Sequence, residues 1–192
     1  MSSVETALRA QGDALLFSLF GATITILAIL ETRAAMCAGV DRMHRWPANI
    51  ALTLMNVAVM GVLPLSGLAV ADFARDTGTG IMNLWPVPLW VGLTVSFLAF
   101  SLQSWAVHLA MHKLPVLWRF HRVHHTDTQL DVSTTVRFHP LEIALQAPIS
   151  AAVVLAIGAP PAAAILYGIF DALVNAFSHA NLHLPRRLDS AL

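Results

Sequence analysis

The chain has 192 residues, of which 57% are hydrophobic and only 11% charged, and its mean hydropathy is +0.68; this is the composition of an integral membrane protein rather than of an ordinary soluble domain. Eleven Lys and Arg balance eleven Asp and Glu, so no basic field exists to hold a nucleic-acid backbone, and nucleic-acid binding is excluded. The single cysteine, Cys37, rules out an internal disulfide and a thiolate-rich metal site, and with nine histidines any bound metal must be held by imidazole.

Charge-poor stretches mark the membrane segments, because a spanning helix needs roughly 20 apolar residues and must satisfy its own backbone in lipid. Ala14 to Leu30, between Asp13 and Glu31, is the first and sits at the short limit. Pro47 to Ala71 is the second, with a kink expected at Pro64. Leu84 to Val107 is the third, opening in an interfacial-looking Trp85-Pro86. Glu142 to Phe177 is too long for one crossing, and Gly158-Ala159-Pro160-Pro161 at its centre divides it into a hairpin of two short helices, Leu141 to Ile157 and Ala162 to Phe177. Asp171, the acid within the second of these, is expected to face the bundle interior. The expected fold is therefore all-α and multi-pass: about three full spans plus a short helical hairpin, in one membrane-embedded unit over residues 1–192. Glu5, Arg9 and Asp13 deprive the amino terminus of the positive charge of a cleaved secretory signal.

Lys and Arg collect in short cytoplasmic loops. Alternating crossings put Arg33, Arg42, Arg45, Lys113, Arg119, Arg122, Arg137, Arg186 and Arg187 on one side and leave Arg9 and Arg75 on the other. This bias predicts an outside amino terminus and a cytoplasmic carboxyl terminus. Every histidine except His44 lies from the end of the third span onward, so the same arrangement brings them to the cytoplasmic membrane face.

Those histidines fall into groups: His108 and His112; His121, His124 and His125; His179 and His183. Residues three or four apart share a helix face, so each group aims its imidazoles in one direction, and Pro115 allows a turn between the first two. A lone pair at this spacing is more often incidental than a metal site. Seven histidines in three groups on one side point to ligation, and because one open ion normally takes three or four protein ligands, two ions fit better. Imidazole binds Zn, Fe, Cu and Ni alike, so ligand type does not choose the metal. Haem would need two rings facing across a porphyrin, which this spacing does not supply. His44 and His139 stand alone and read as solvated or outer-shell residues.

His108-x-x-x-His112, His121-x-x-His124-His125, Arg137-Phe138-His139-Pro140-Leu141-Glu142 and His179-x-Asn181-x-x-Leu184-Pro185, in this order, resemble the fatty acid hydroxylase and sterol desaturase superfamily. The similarity runs from about Trp90 to the end, with the histidine boxes inside residues 84–192. It implies a membrane oxidoreductase with a dinuclear iron site on the cytosolic face, O2 as co-substrate, and hydroxylation or desaturation of a lipid or sterol-like C–H bond. The implied ligands are His108, His112, His121, His124, His125, His179 and His183, with Asp127, Asp131 and Asn181 as groups that orient them. A further His-x-x-His-His box, usual in the family beyond Leu184-Pro185, is absent here. A truncated form, ligands from a partner, or a non-catalytic membrane metal-binding or assembly protein of the same fold are the alternatives. Gly78-Thr79-Gly80 makes no dinucleotide loop, so the resemblance implies an external electron donor, either cytochrome b5-like, a ferredoxin or a reductase. Arg119, Arg122, Arg186 and Arg187 are candidate docking residues, although topology and headgroup contact are the simpler role for them. The membrane is a bacterial inner membrane or the endoplasmic reticulum.

Overall fold

A computed structural model describes residues 3–63 and 65–184, apart from the side chains of 3–10 and 13. Arg9, Asp13, Pro64, Pro185, Arg186 and Arg187, on which some sequence expectations rest, lie outside the described residues or side chains. Seven α-helices follow one another: α1 Ser3–Ala34, α2 Arg42–Val62, α3 Gly67–Thr77, α4 Leu89–Lys113, α5 Pro115–His125, α6 Pro140–Ile157 and α7 Pro161–His179. A 3-10 turn, Val132–Val136, precedes α6. The described residues contain no sheet, only an isolated bridge between Ala35 and Leu182, and the chain is an all-α multi-pass membrane protein. Among the described residues five stretches are long and apolar enough to cross a bilayer: Ala14–Ala34, Arg42–Thr77 (which comprises α2 and α3), Leu89–Lys113, Pro140–Ile157 and Pro161–His179.

The packing is that of a membrane bundle. Buried positions are dominated by small residues, among them Ala71, Ala74, Ala147, Ala151, Ala162, Ala163 and Ala176, while Phe17, Leu54, Trp90, Leu98, Leu102 and Trp105 point outward. Small side chains let helix backbones approach where lipid removes the usual hydrophobic drive, and large apolar ones are at ease against acyl chains. α7 sits centrally, against α1, α3 and α4, and α6 packs on α2, α3 and α4.

The helix boundaries differ from the sequence expectation in four places: α1 runs Ser3–Ala34 rather than Ala14 to Leu30, and the other three differences have local reasons. The stretch 47–71 is not one helix: α2 begins earlier, at Arg42, because Asp41 caps it by accepting the His44 N–H at 3.2 Å, and ends at Val62; Ser66 then caps α3 by accepting the Ala69 N–H at 3.1 Å. Trp85-Pro86 precedes α4 rather than opening it, since the segment stays non-helical through Pro88. α4 also continues past Val107 to Lys113 and carries His108 and His112 with it. The hairpin turn at Gly158 is as expected: Gly158 takes the left-handed conformation (φ 68°) that closes α6, and Pro161 opens α7.

Candidate metal centre

Local chain geometry brings the histidines together. Leu114 ends α4 in an extended conformation (ψ 117°), as a residue before proline prefers, and Pro115 starts α5 at once. The chain therefore folds back, and the His121, His124 and His125 face of α5 meets the end of α4. α7 ends at His179 beside them.

The ring nitrogens converge in pairs. Nε2 of His108 and His112 are 3.1 Å apart, those of His121 and His125 3.2 Å, and those of His124 and His179 3.1 Å. Two nitrogens each about 2.0–2.1 Å from one ion stand about 2.9 Å apart at a right angle and about 3.4 Å apart at the tetrahedral angle, so all three spacings suit shared ligation. The pairs join in a continuous set: ring centroids lie 4.8 Å apart for His108 and His121, 4.8 Å for His112 and His125, and 5.1 Å for His124 and His125. Candidate ligand atoms of His108, His112 and His121 all lie within 4.8 Å of one another, close enough for one metal ion.

Two rings have their tautomers set by the protein. Nδ1–H of His121 donates to Glu142 Oε1 at 2.9 Å, and Nδ1–H of His179 donates to the Asn175 carbonyl at 2.7 Å. Each arrangement leaves Nε2 with its lone pair toward the neighbouring rings, as is usual for metal-bound imidazoles. His124 stacks on Phe138, centroids 5.3 Å apart. Burial, followed by the neighbouring rings, pushes the α5 histidines below their ordinary pKa, His124 to about 4. They are neutral near pH 7, the state that ligates metal.

The other sequence candidates lie elsewhere. His183 is exposed, held through its backbone N–H to the Ala34 carbonyl at 2.8 Å. His44 is exposed and bonds Asp41; His139 caps α6 by accepting the Leu141 N–H at 3.1 Å. Among the described residues the carboxylates of Asp127 and Asp131 are bonded to Arg45 and its neighbours rather than to an imidazole. Arg45 reaches Asp127 with two nitrogens at 2.6 Å each and Asp131 at 3.1 Å, and Trp46 Nε1 donates to Asp131 at 3.0 Å. The Arg45 pair holds Asp127 below its ordinary pKa although burial alone would raise it. Asn181 accepts the Cys37 N–H at 2.8 Å and gives its own backbone N–H to Glu31 at 2.7 Å. Glu31 also accepts the Val132 N–H at 2.8 Å and Arg42 at 2.8 Å. These residues clamp α1 and α2 to the segments after α5 and α7, and so fix His124 against His179 from outside the cluster.

Sequence reasoning missed Glu142 as a partner of His121, and it missed the roles of Arg45, of Glu31 and of the buried Asn49, which donates to Ser133 at 2.8 Å and accepts from Arg137 at 2.7 Å. Glu142 is 1% exposed, and its Oε2 has no partner. An acid in the first turn of a helix as apolar as α6 was the available signal.

His108, His121, His124 and His179 form one end of a cavity of about 890 Å³. Phe20, Val57, Met60, Val107, Gly12, Gly67 and Ile165 line the rest of it. Along α7 it runs from Ala164 to His179, about 22 Å at the helical rise of 1.5 Å per residue. A mostly apolar cavity with imidazoles in its wall can bring a hydrocarbon chain to a metal held there.

A family model for fatty acid hydroxylases matches residues 93–191. The chain is 28% identical over 140 residues to the ornithine lipid hydroxylase OlsE of Rhizobium tropici, an alignment covering 71% of this chain and 42% of that protein. The chain thus spans less than half the length of this relative. No solved structure matches it.

Proposed function

The chain belongs to the fatty acid hydroxylase family, and on that premise we propose that it hydroxylates a membrane lipid at a histidine-held centre of two iron ions. One oxygen atom of O2 enters a C–H bond, and the other leaves as water with two electrons and two protons from an external donor, cytochrome b5-like, a ferredoxin or a reductase. The observation that carries this reading is the pairing of six Nε2 atoms at 3.1–3.2 Å, with four of those histidines, His108, His121, His124 and His179, in the wall of a lipid-sized cavity. Bound iron would supply the O2 and redox chemistry that no side chain here provides.

The chain's own residues do the rest. His108, His112, His121 and His125 are assigned to one ion, and His124 and His179 to the other, with His183 the nearest further candidate in sequence. Glu142 and the Asn175 carbonyl hold two of the rings in the metal-binding tautomer. Phe20, Val57, Met60 and Val107 take the lipid tail and keep water out. α4, with 25 residues, is about 37 Å long against a hydrocarbon core of about 30 Å, so its last turns with His108 and His112 reach the interface. The Lys and Arg bias assigns that interface to the cytoplasmic side, where a soluble donor can dock near the exposed Arg119 and Arg122. Residues 1–192 act as one membrane-embedded unit.

Expression in a bacterial host followed by lipid mass spectrometry tests the reading. Wild-type protein yields lipids heavier by one oxygen atom, and His108→Ala and His124→Ala yield none. Oxygenated product that persists in both variants contradicts it.

A further inference from the structure

Asp171 is an acid that the histidine cluster does not use. It lies ten residues from the start of α7 and eight from its end, inside a segment apolar enough to span a bilayer. An ionisable group at that depth is costly and usually marks a functional contact. Among the described residues its carboxylate has no cationic partner; its polar neighbours are Tyr167 and Asn175, each one turn away, and Asn175 hydrogen-bonds to the carboxylate and donates Nδ2 to the Asp171 carbonyl at 2.8 Å.

Asp171, Asn175 and His179 are spaced i, i+4 and i+8 and all line the cavity, a polar row leading to the histidine cluster. Gly168 and Ala172, both small, line the same wall as Asp171. The helical rise puts Asp171 about 12 Å from His179 along the axis. On the α2 wall, Asn56 spends its amide N–H on the Phe138 carbonyl at 3.1 Å, which identifies its other atom as Oδ1, and that oxygen is buried without a partner. Both walls therefore offer acceptor capacity: Asn56 Oδ1 has no partner, and the two oxygens of the Asp171 carboxylate can accept more than the single hydrogen bond from Asn175. A tail made only of methylenes satisfies neither, and a dry unpaired acceptor is unfavourable.

We propose that the middle of this cavity is a subsite for a hydrogen-bond-donating group, a hydroxyl or an ammonium, carried by the lipid substrate about 12 Å from the carbon presented at the histidine end, and that Asp171 is the specificity-determining residue. This rests on reading the cavity as the lipid site. Charge separates the two donors: an ammonium needs the carboxylate, whereas a hydroxyl is equally served by an amide oxygen.

The test uses the full chain in lipid nanodiscs and measures binding of a tritiated long-chain primary alcohol, primary amine and alkane of equal length by scintillation proximity. Wild-type protein should favour the alcohol and the amine over the alkane by roughly tenfold or more, relative to Asp171→Leu. Asp171→Asn should keep the alcohol preference and lose that for the amine. Asp171→Leu should lose both while still binding alkane, which also reports that it folds; should it not fold, Asp171→Asn alone decides the matter through the amine. Equal binding of the three ligands by wild-type protein, or preferences unchanged in the variants, overturns the subsite and leaves the lipid cavity standing. Failure of wild-type protein to bind any of the three overturns the lipid-cavity reading and the subsite with it.

Discussion

Replacing Glu142 with leucine should weaken metal binding without unfolding the protein. Glu142 Oε1 accepts the His121 Nδ1–H at 2.9 Å, with both side chains almost fully buried. The change leaves that N–H dry, at a cost of about 1–3 kcal/mol, and frees the ring to turn Nε2 away from His125, 3.2 Å distant. At 1.4 kcal/mol per decade this is a loss of roughly tenfold to a hundredfold in metal affinity, the usual effect of removing a group that orients a metal-bound imidazole. Glu142→Gln keeps an acceptor oxygen of the same reach and should lose less. Leucine also removes a buried carboxylate whose Oε2 has no partner, so thermal stability of the apo-protein should change little or rise. Competition against a calibrated chelator in detergent, alongside thermal unfolding of metal-free protein, separates the two effects. Wild-type affinity in Glu142→Leu would refute the role given to this carboxylate.

Other expected outcomes probe the scaffold and the cavity. Arg45→Met strips the buried Asp127 of its cation and leaves Asp131 with Arg42 at 3.7 Å, and breaking such a pair should destabilise the protein by about 3–5 kcal/mol, read by thermal unfolding; an unchanged midpoint would contradict the clamp. The pKa of Asp127 is lowered from its ordinary 3.8 in the folded protein, so the stability it contributes is complete above that value and lost as pH falls through the folded pKa. Arg45→Met should lose that acid sensitivity in an unfolding midpoint measured against pH. Gly80→Ala places a Cβ against the Gly158 backbone and the Leu155 carbonyl, at a position with φ of 98°; strain of about 1–3 kcal/mol should lower the unfolding midpoint while metal per folded chain stays constant. Gly168→Leu adds bulk to the cavity wall and should cut lipid oxygenation roughly tenfold to a hundredfold, with metal content intact; undiminished product would remove this cavity from the lipid path.

Much of this architecture is legible in the chain because lipid imposes it. The apolar, span-length segments and the α6–α7 turn follow from hydropathy and from Gly158-Ala159-Pro160-Pro161, since a span must close its own hydrogen bonds. The convergence of His108, His112, His121, His124, His125 and His179 follows from helical spacing and the break at Leu114-Pro115. The partners of the polar residues are not legible in this way. Asp127 and Asp131 read as ring-orienting acids, yet Arg45 and Trp46, more than 80 positions away, take them. Nothing local to either segment encodes that pairing, which arises from packing α2 against the Val132–Val136 turn. Glu142 shows the converse: its place in an apolar helix marks it as unusual, but its partner His121 lies 21 residues away. α3 is hidden for a simpler reason, because the apolar run continues across the break between Val62 and Gly67 and hydropathy registers no boundary.

The central claim is that imidazoles from α4, α5 and α7 hold metal at the end of the lipid cavity. Metal analysis with X-ray absorption on protein purified in detergent after iron loading tests it most directly. The account expects two iron ions per chain with a nitrogen-dominated shell, and a marked loss of iron in each of His108→Ala, His124→Ala and His179→Ala. Folded protein without bound metal, or full iron content in all three variants, would contradict it.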